Sequence, residues 1–285
     1  MKFACPETVA DAARLLAEDG ARCLSGGQSL VAMMNADLVA PSTLVSLRRI
    51  GELARIEIGP DGGLSLGAMA THASVARLKP ASAGAELVIA AAGAIGHPAI
   101  RNQGTIGGSI AHADPAADYP TAITCADATV VIAGSNGRRR VAAAEFFKGF
   151  YETALEPGEI VVAVEVPAGA AGARAHYEKF ALIDGDFAVV SAAAIIGMSG
   201  GRCSFARLTI GACAATPVRD PVAEERLIGT TLDEEALDRA ADLLMQRCDP
   251  IDDFRGSASY RLKLVPRLLK RAVDAAKQKA EGVHA

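Results

Sequence analysis

Two glycine-rich stretches constrain this chain more than anything else in it. The first is Ser25-Gly26-Gly27-Gln28-Ser29-Leu30, and the second is Ile100-Arg101-Asn102-Gln103-Gly104-Thr105-Ile106-Gly107-Gly108-Ser109. The second sets three glycines and two hydroxyls within six residues, directly after a helical run of small residues. Glycine permits a positive φ and removes the Cβ that would stand between backbone and ligand. Successive free N–H groups in such a turn make a concave anion site, and Thr105 and Ser109 can add hydroxyl donors at its two ends. One such loop is more often a plain turn than a phosphate cradle. Two of them, each ending in serine and each leading into apolar residues, fit a pyrophosphate gripped from two sides. No Gly-Lys-Ser/Thr follows either loop and neither reads G-x-G-x-x-G, so a P-loop and a Rossmann NAD site are both unsupported. What remains is a nucleotide held by loop amides.

The flanking sequence reads as a small α/β lobe followed by mixed α+β structure. Thr8 is placed to cap a helix carrying Val9, Ala12, Ala13 and Leu16, with Gly20 as its C′ residue. Cys23 and Leu24 form a short strand into the first loop, Leu30 to Met34 a helical turn, and Leu44 to Leu47 a strand. Ile56, Ile58, Leu64 and Leu66 flank Gly59-Pro60-Asp61-Gly62-Gly63, a hairpin signal. Thr71 is expected to cap a helix to Leu78, and Ala85 to Ile95 is a second helix. Thr129 to Ala133 and Arg138 to Val141 bracket the hairpin turn Gly134-Ser135-Asn136-Gly137. Ile160 to Val166 is a strand closed by Pro167, and Ala168 to Ala173 is a Gly/Ala linker. Beyond it, strands Val189 to Ile196 and Ser204 to Ile210 precede helices Asp233 to Arg247 and Ser259 to Lys277. An antiparallel sheet with helices on one face is the economical arrangement there.

Composition excludes several classes. A net charge of −4 gives no electrostatic case for nucleic acid or an anionic membrane. No apolar run reaches the roughly 18 residues of a membrane span. The N-terminus lacks a signal peptide's apolar region, so a cytoplasmic location is expected. Six cysteines, none in a C-x-x-C pair, support neither zinc nor an iron–sulphur cluster, and are expected to be small buried thiols in a reducing compartment.

Both loops, together with Ala111-His112-Ala113-Asp114-Pro115-Ala116-Ala117-Asp118-Tyr119-Pro120, resemble the FAD-binding (medium) subunits of the molybdenum hydroxylases. That group includes bacterial carbon monoxide dehydrogenase and the xanthine dehydrogenase flavin domain. The likeness runs nearly end to end, and Arg255-Gly256-Ser257-Ala258-Ser259-Tyr260-Arg261 belongs to it. It implies an α+β fold: a two-lobed FAD-binding domain of the vanillyl-alcohol-oxidase/PCMH type over residues 1–168, with lobes at about 1–52 and 53–168. A smaller C-terminal domain, 176–285, of the carbon monoxide dehydrogenase flavoprotein kind would follow. It also implies partners: a large molybdopterin-binding subunit and a small subunit with 2Fe-2S clusters, assembled as a dimer of heterotrimers.

The resemblance further assigns residues to FAD. Ser25, Gly26, Gly27, Gln28 and Ser29 form one grip, and Thr105, Gly107, Gly108 and Ser109 the other. Asp118 is the best match to an acidic residue that takes ribityl or ribose hydroxyls, with Asp114 either beside it or capping the next turn. Thr71, in Gly67-Ala68-Met69-Ala70-Thr71-His72, lies along the cofactor and is also a helix cap. Arg22 would meet adenine or a phosphate, or else solvent; His112 would sit near the flavin or serve the fold. Asn102 is expected to order its loop by side-chain to backbone bonds. Lys179-Phe180 and Gly185-Asp186-Phe187-Ala188 resemble the segment that reaches back to the ring, with Phe187 stacking near it or lying in the core. Many members carry a basic residue between these pairs; Leu182, Ile183 and Asp184 stand there instead.

No Ser–His–Asp, Cys–His or metal-ligand constellation emerges, so molybdenum and cluster chemistry would belong to the partners. The alternatives are a stand-alone FAD-dependent oxidoreductase of the same fold and a non-enzymatic nucleotide-binding module.

Overall fold

The computed structural model describes residues 1–282. In chain order its elements are β1 (Lys2–Ala4), α1 (Val9–Leu16), β2 (Ala21–Leu24), α2 (Leu30–Asn35), β3 (Thr43–Ser46), β4 (Ile56–Ile58), β5 (Leu64–Gly67), α3 (His72–Ala76), α4 (Ala83–Ala94), α5 (Pro98–Gln103), α6 (Ile106–His112) and α7 (Asp118–Cys125). Then come β6 (Thr129–Gly134), β7 (Gly137–Ala142), α8 (Ala143–Phe146), β8 (Phe147–Gly149), β9 (Glu152–Thr153), β10 (Ile160–Val166), β11 (Arg174–Phe180), β12 (Val190–Ser199), β13 (Arg202–Gly211), α9 (Pro221–Leu227), α10 (Glu234–Met245) and α11 (Ala258–Ala280).

The first fifty residues fold into a parallel sheet of order β1-β3-β2 beside α1. A second, antiparallel sheet of order β4-β5-β10-β6-β7 carries apolar residues on both faces. Strand alternation divides them. Val131 and Ala133 of β6 pack with Val9, Val45 and Leu53 of the first lobe, whereas Val130 and Ile132 pack with Leu87, Val88 and Ile110. A third sheet, β11-β12-β13, is antiparallel. The same alternation runs through its central strand. Ala193 and Ile195 join the core of the second sheet, while Ala192, Ala194 and Ile196 join Leu237, Leu244, Leu268 and Val273 of α10 and α11. Burial on both faces is why β12 is an almost unbroken run of small apolar residues.

Local chemistry sets many boundaries. Thr8, Thr71, Ser82, Thr105, Asp233 and Ser257 each cap a helix by accepting a backbone N–H. The expected hairpins at β4–β5, β6–β7 and β12–β13 are present. Three expectations need correction. Helix α1 ends at Leu16, so Gly20 is not its C′ residue; its φ of +70° serves a later turn, where its carbonyl accepts from Ser42. The central glycine stretch is not an open loop but a junction between α5 and α6, with Thr105 as N-cap. Only Cys125, Cys203 and Cys213 are buried; Cys5 and Cys248 are half-buried and Cys23 is exposed. No helix among the described residues is long and apolar enough to cross a membrane. The last three residues of the expected 176–285 domain lie outside the described residues.

Candidate functional site

Three segments distant in sequence are stitched together at the entry to α6. The N–H groups of Ile106 and Gly107 donate to the carbonyls of Ala70 and Ala68, at 3.0 and 2.9 Å, and His72 N–H donates to Gly104 at 3.0 Å. The Ser25 and Thr105 hydroxyls lie 2.6 Å apart, which fixes the first glycine loop against the second. Glycine is required where these backbones meet. A Cβ on Gly26 would stand 2.1 Å from the Gln103 carbonyl oxygen, and one on Gly107 would stand 2.5 Å from Ala68 Cβ.

This arrangement corrects the expectation of a free-amide turn at Gly104–Ser109. No glycine there has a positive φ. The N–H of Gly108 donates to Thr105 Oγ1 at 3.1 Å and that of Ser109 to the Thr105 carbonyl at 3.0 Å. The unpaired amides belong to the other loop. Among the described residues, the N–H groups of Gly26, Gly27, Gln28, Ser29 and Leu30 have no acceptor in the protein. Gly27 has a φ of +74°, a conformation that lets successive N–H groups point to one side. Gly108 faces this loop, with Ser25 Cβ 3.5 Å from where its own Cβ would be. A row of amides and a Cβ-free wall therefore oppose each other across the Ser25–Thr105 contact.

From α6 the chain enters the acidic segment. Ala113 adopts a left-handed conformation, φ 52°, which turns the chain out of the helix. Asp114 Oδ1 accepts the Ala116 N–H at 2.9 Å, and Tyr151 donates to Oδ2 at 3.2 Å. The turn-capping role of Asp114 is thus present. His112 packs on Tyr151, ring centroids 5.2 Å apart, and burial holds its pKa below the ordinary histidine value.

Asp118 opens α7 and is buried. Lys179 Nζ lies 3.0 Å from Asp118 Oδ1, and Tyr177 donates to the same oxygen at 2.8 Å. Burial raises the Asp118 pKa; the Lys179 charge and the Tyr177 hydroxyl oppose that. Lys179 also donates to the carbonyls of Ala94, 2.6 Å, and Asp186, 3.0 Å, which ties β11 to the end of α4 and to the 182–187 loop. The Ala188 N–H donates to Ala116 at 3.2 Å, which brings Phe187 alongside the acidic segment. Phe187 is exposed, with the Arg255 guanidinium 5.4 Å from its ring centre.

Other expected residues stand apart. Arg22 is exposed, and its guanidinium donates to the Ala21 carbonyl at 3.2 Å. Gln28 is exposed and reaches the Gly26 carbonyl at 3.5 Å; Ser29 starts α2 without a side-chain cap bond. Ser109 is half-buried and follows Gly108 along α6. Thr71 caps α3 and bridges Thr105. Asn102 is a correction: it is exposed and its side chain makes no hydrogen bond among the described residues, so Thr105, not Asn102, orders the junction. Sequence reasoning missed Tyr177, Arg255 and His72. Tyr177 and Lys179 share one face of a strand at i, i+2, a signal readable only once β11 is recognised. A surface hollow of about 590 Å³ is lined by Gly59, Asp61, Arg140 and Glu165 and shares no residue with this site.

Residues 1–169 match the family described as the FAD binding domain in molybdopterin dehydrogenase, and residues 175–276 match the CO dehydrogenase flavoprotein C-terminal domain. The carbon monoxide dehydrogenase medium chain of Afipia carboxidovorans is 39% identical over 97% of this chain and 96% of its own length. The alpha subunit of the 6-hydroxypseudooxynicotine dehydrogenase complex of Paenarthrobacter nicotinovorans is 36% identical over 98% and 95%. Among solved structures, CO dehydrogenase from Oligotropha carboxidovorans superposes with a TM-score of 0.93 at 37% identity, covering 97% of each chain. Quinoline 2-oxidoreductase from Pseudomonas putida 86 gives 0.91 at 37% identity, covering 99% and 98%. With a matching family model over more than half its length and relatives of this identity across nearly all of it, the chain belongs to the FAD-binding medium subunits of the molybdenum hydroxylases.

Proposed function

We propose that this chain holds FAD between its two glycine segments and relays electrons from iron–sulphur clusters on a small subunit to an external acceptor. The observation that carries the site is the row of unpaired amides from Gly26 to Leu30, opposed by the Cβ-free backbone at Gly108. Five unpaired donors on one loop suit pyrophosphate oxygens, which accept without needing a counter-lysine. In this reading Ser25, Gly26, Gly27, Gln28 and Ser29 bind one side of the pyrophosphate, and Gly107, Gly108 and Ser109 form the other wall. Thr105 sets the spacing through its bond to Ser25. Asp118 takes ribityl hydroxyls, and Lys179 keeps that carboxylate charged. Thr71, Asp114 and Phe187 line the remaining approach, and Arg22 reaches the adenine end. FAD, when bound, supplies the redox chemistry; the side chains hold and orient it.

The same reading divides the chain into a cofactor unit, 1–168, and a C-terminal unit from 176. It places molybdopterin on a large subunit and 2Fe-2S clusters on a small one, in a cytoplasmic dimer of heterotrimers. Substrate choice would lie on the large subunit. Its support is that relatives named for carbon monoxide and 6-hydroxypseudooxynicotine both align with this chain over nearly its whole length.

Purification of the native complex, with metal analysis and a flavin spectrum, tests the assembly. The expected result is one FAD on this chain with molybdenum and iron on its partners. Turnover of the physiological substrate by the isolated, metal-free chain would instead establish the stand-alone oxidoreductase.

A further inference from the structure

The carboxylate at the head of α7 is gripped from the other side of the chain's midpoint. Both side chains that bond Asp118, Tyr177 and Lys179, come from β11, after the Gly/Ala linker. The glycine loops supply no partner, and α7 supplies only the backbone N–H of Asp118 itself; both side-chain partners come from β11. The helix start adds a favourable positive end for the carboxylate. Its two oxygens offer about four acceptor positions; the Tyr177 hydroxyl, the Lys179 ammonium and the Asp118 N–H take three of them, which leaves one for a ligand hydroxyl.

We propose that Tyr177 is a positioning residue for the cofactor: it holds the Asp118 carboxylate in place and charged, and so sets the acid limit of FAD retention. This rests on the reading of Asp118 as a ribityl contact. The groups around the carboxylate are few. Strand β11 brings Tyr177 and Lys179, and α7 brings Tyr119, whose buried hydroxyl has no partner in the protein. Helix α4 and the 182–187 loop present only the Ala94 and Asp186 carbonyls, both to Lys179. Asp114 and His112, on the preceding segment, are engaged with Tyr151. Lys179 therefore stands as the balancing charge, and the Tyr177 hydroxyl is the adjustable neutral donor. Burial already pushes the carboxyl upward, and loss of that donor pushes it further.

The test is FAD retention by the full chain, loaded with FAD and diluted into buffers from pH 8 to pH 4. Free flavin is measured by fluorescence after filtration. The wild type should release FAD as pH falls and Asp118 takes up a proton. Tyr177→Phe should bind several-fold more weakly than wild type at pH 8, and the gap should widen as pH falls, with its release midpoint raised by roughly one pH unit. Asp118→Asn should bind weakly with a flat profile. An equal loss at every pH in Tyr177→Phe would make the tyrosine a packing residue only and overturn the proposal. A wild-type midpoint in Tyr177→Phe, with Asp118→Asn still weak, would overturn it as well. If Asp118→Asn holds FAD like the wild type, the assignment of Asp118 itself falls, and the proposal with it.

Discussion

A valine at Gly107 and a valine at Gly108 should fail in different ways. At Gly107 the added Cβ collides with Ala68 Cβ at 2.5 Å and with the Ala68 carbonyl at 2.7 Å, inside the buried seam. Overpacking of this kind costs about 1–3 kcal/mol or more, so the variant should melt early. At Gly108 the nearest atoms are Thr105 Oγ1 at 3.0 Å and Ser25 Cβ at 3.5 Å, on the half-buried side that faces the first loop. Gly108→Val should therefore stay folded yet lose FAD affinity roughly tenfold or more. Near-wild-type melting together with full flavin content would remove Gly108 from the site. Gly200→Asn, at a turn with φ 57°, is the control, because asparagine tolerates that conformation. His72 carries a pH prediction. Burial, then the Arg101 charge, pushes it down to about 4 from 6.5, and its Nδ1 is buried without a partner. The folded value is depressed, so the unfolded chain binds more protons between the two. Stability from this group is complete above about pH 6.5 and is lost as pH falls toward 4, by up to about 3 kcal/mol. His72→Gln should flatten the fall in Tm across that window; parallel curves for the two proteins would show that His72 is not the cause. Neither behaviour is readable from sequence, because both depend on what lies across a gap: Ala68 for Gly107, Tyr119 and Gly104 for His72.

Periodicity and capping made most elements legible in the sequence. The hairpins, α4, α10 and α11 follow from alternation, turn residues and N-caps that act locally, and so did Thr71 and Thr105 as hydroxyl donors or acceptors. What was missed was short or ambiguous. Helix α7 begins DYP, and proline there reads as a breaker, although its missing N–H costs nothing in a first turn. The junction at Gly104 looked like an open loop because glycines suit a positive φ and a bare backbone facing a ligand; here Gly104 and Gly107 make room for His72 and Ala68 instead. Strand β11 alternates apolar residues with charged ones that are paired in the fold: Glu178 with Arg271 at 2.9 Å and Lys179 with Asp118. That charge masked it. Helix α4 offers a test of how far propensity alone acts. Gly93 is exposed, lacks a positive φ, and has no heavy atom within 4 Å of a prospective Cβ. Gly93→Ala should raise stability by about 0.5–1 kcal/mol in chemical denaturation without changing flavin content. A destabilised variant would mean that a partner occupies this face.

At the scale of the molecule, the two matched families meet near residue 170, yet the packing does not divide there. The core that holds Leu87, Val88 and Ile123 also contains Ala175, Tyr177, Ala193 and Ile195 from the third sheet. Polar contacts cross the same boundary. Asp127, two residues past the end of α7, pairs with Arg207 at 2.9 Å and with Arg219, and both arginines reach the buried Glu224. Lys279 near the end of α11 bonds Glu86 of α4 at 2.9 Å. A fragment ending at residue 169 would therefore expose the apolar face that receives β11 and β12, and would leave Asp118 without either side-chain partner. Exposed faces of this kind drive association. Expressed alone, the 1–169 fragment should sediment as aggregates or as an expanded state and hold no FAD, although it spans both glycine segments. Co-expressed with residues 170–285, it should recover a soluble complex that is yellow, because the missing strand returns both the sheet face and the Tyr177 and Lys179 donors. A soluble, flavin-loaded fragment would show that the amide row from Gly26 to Leu30 and the wall at Gly108 suffice by themselves, and that β11 only covers a site already complete.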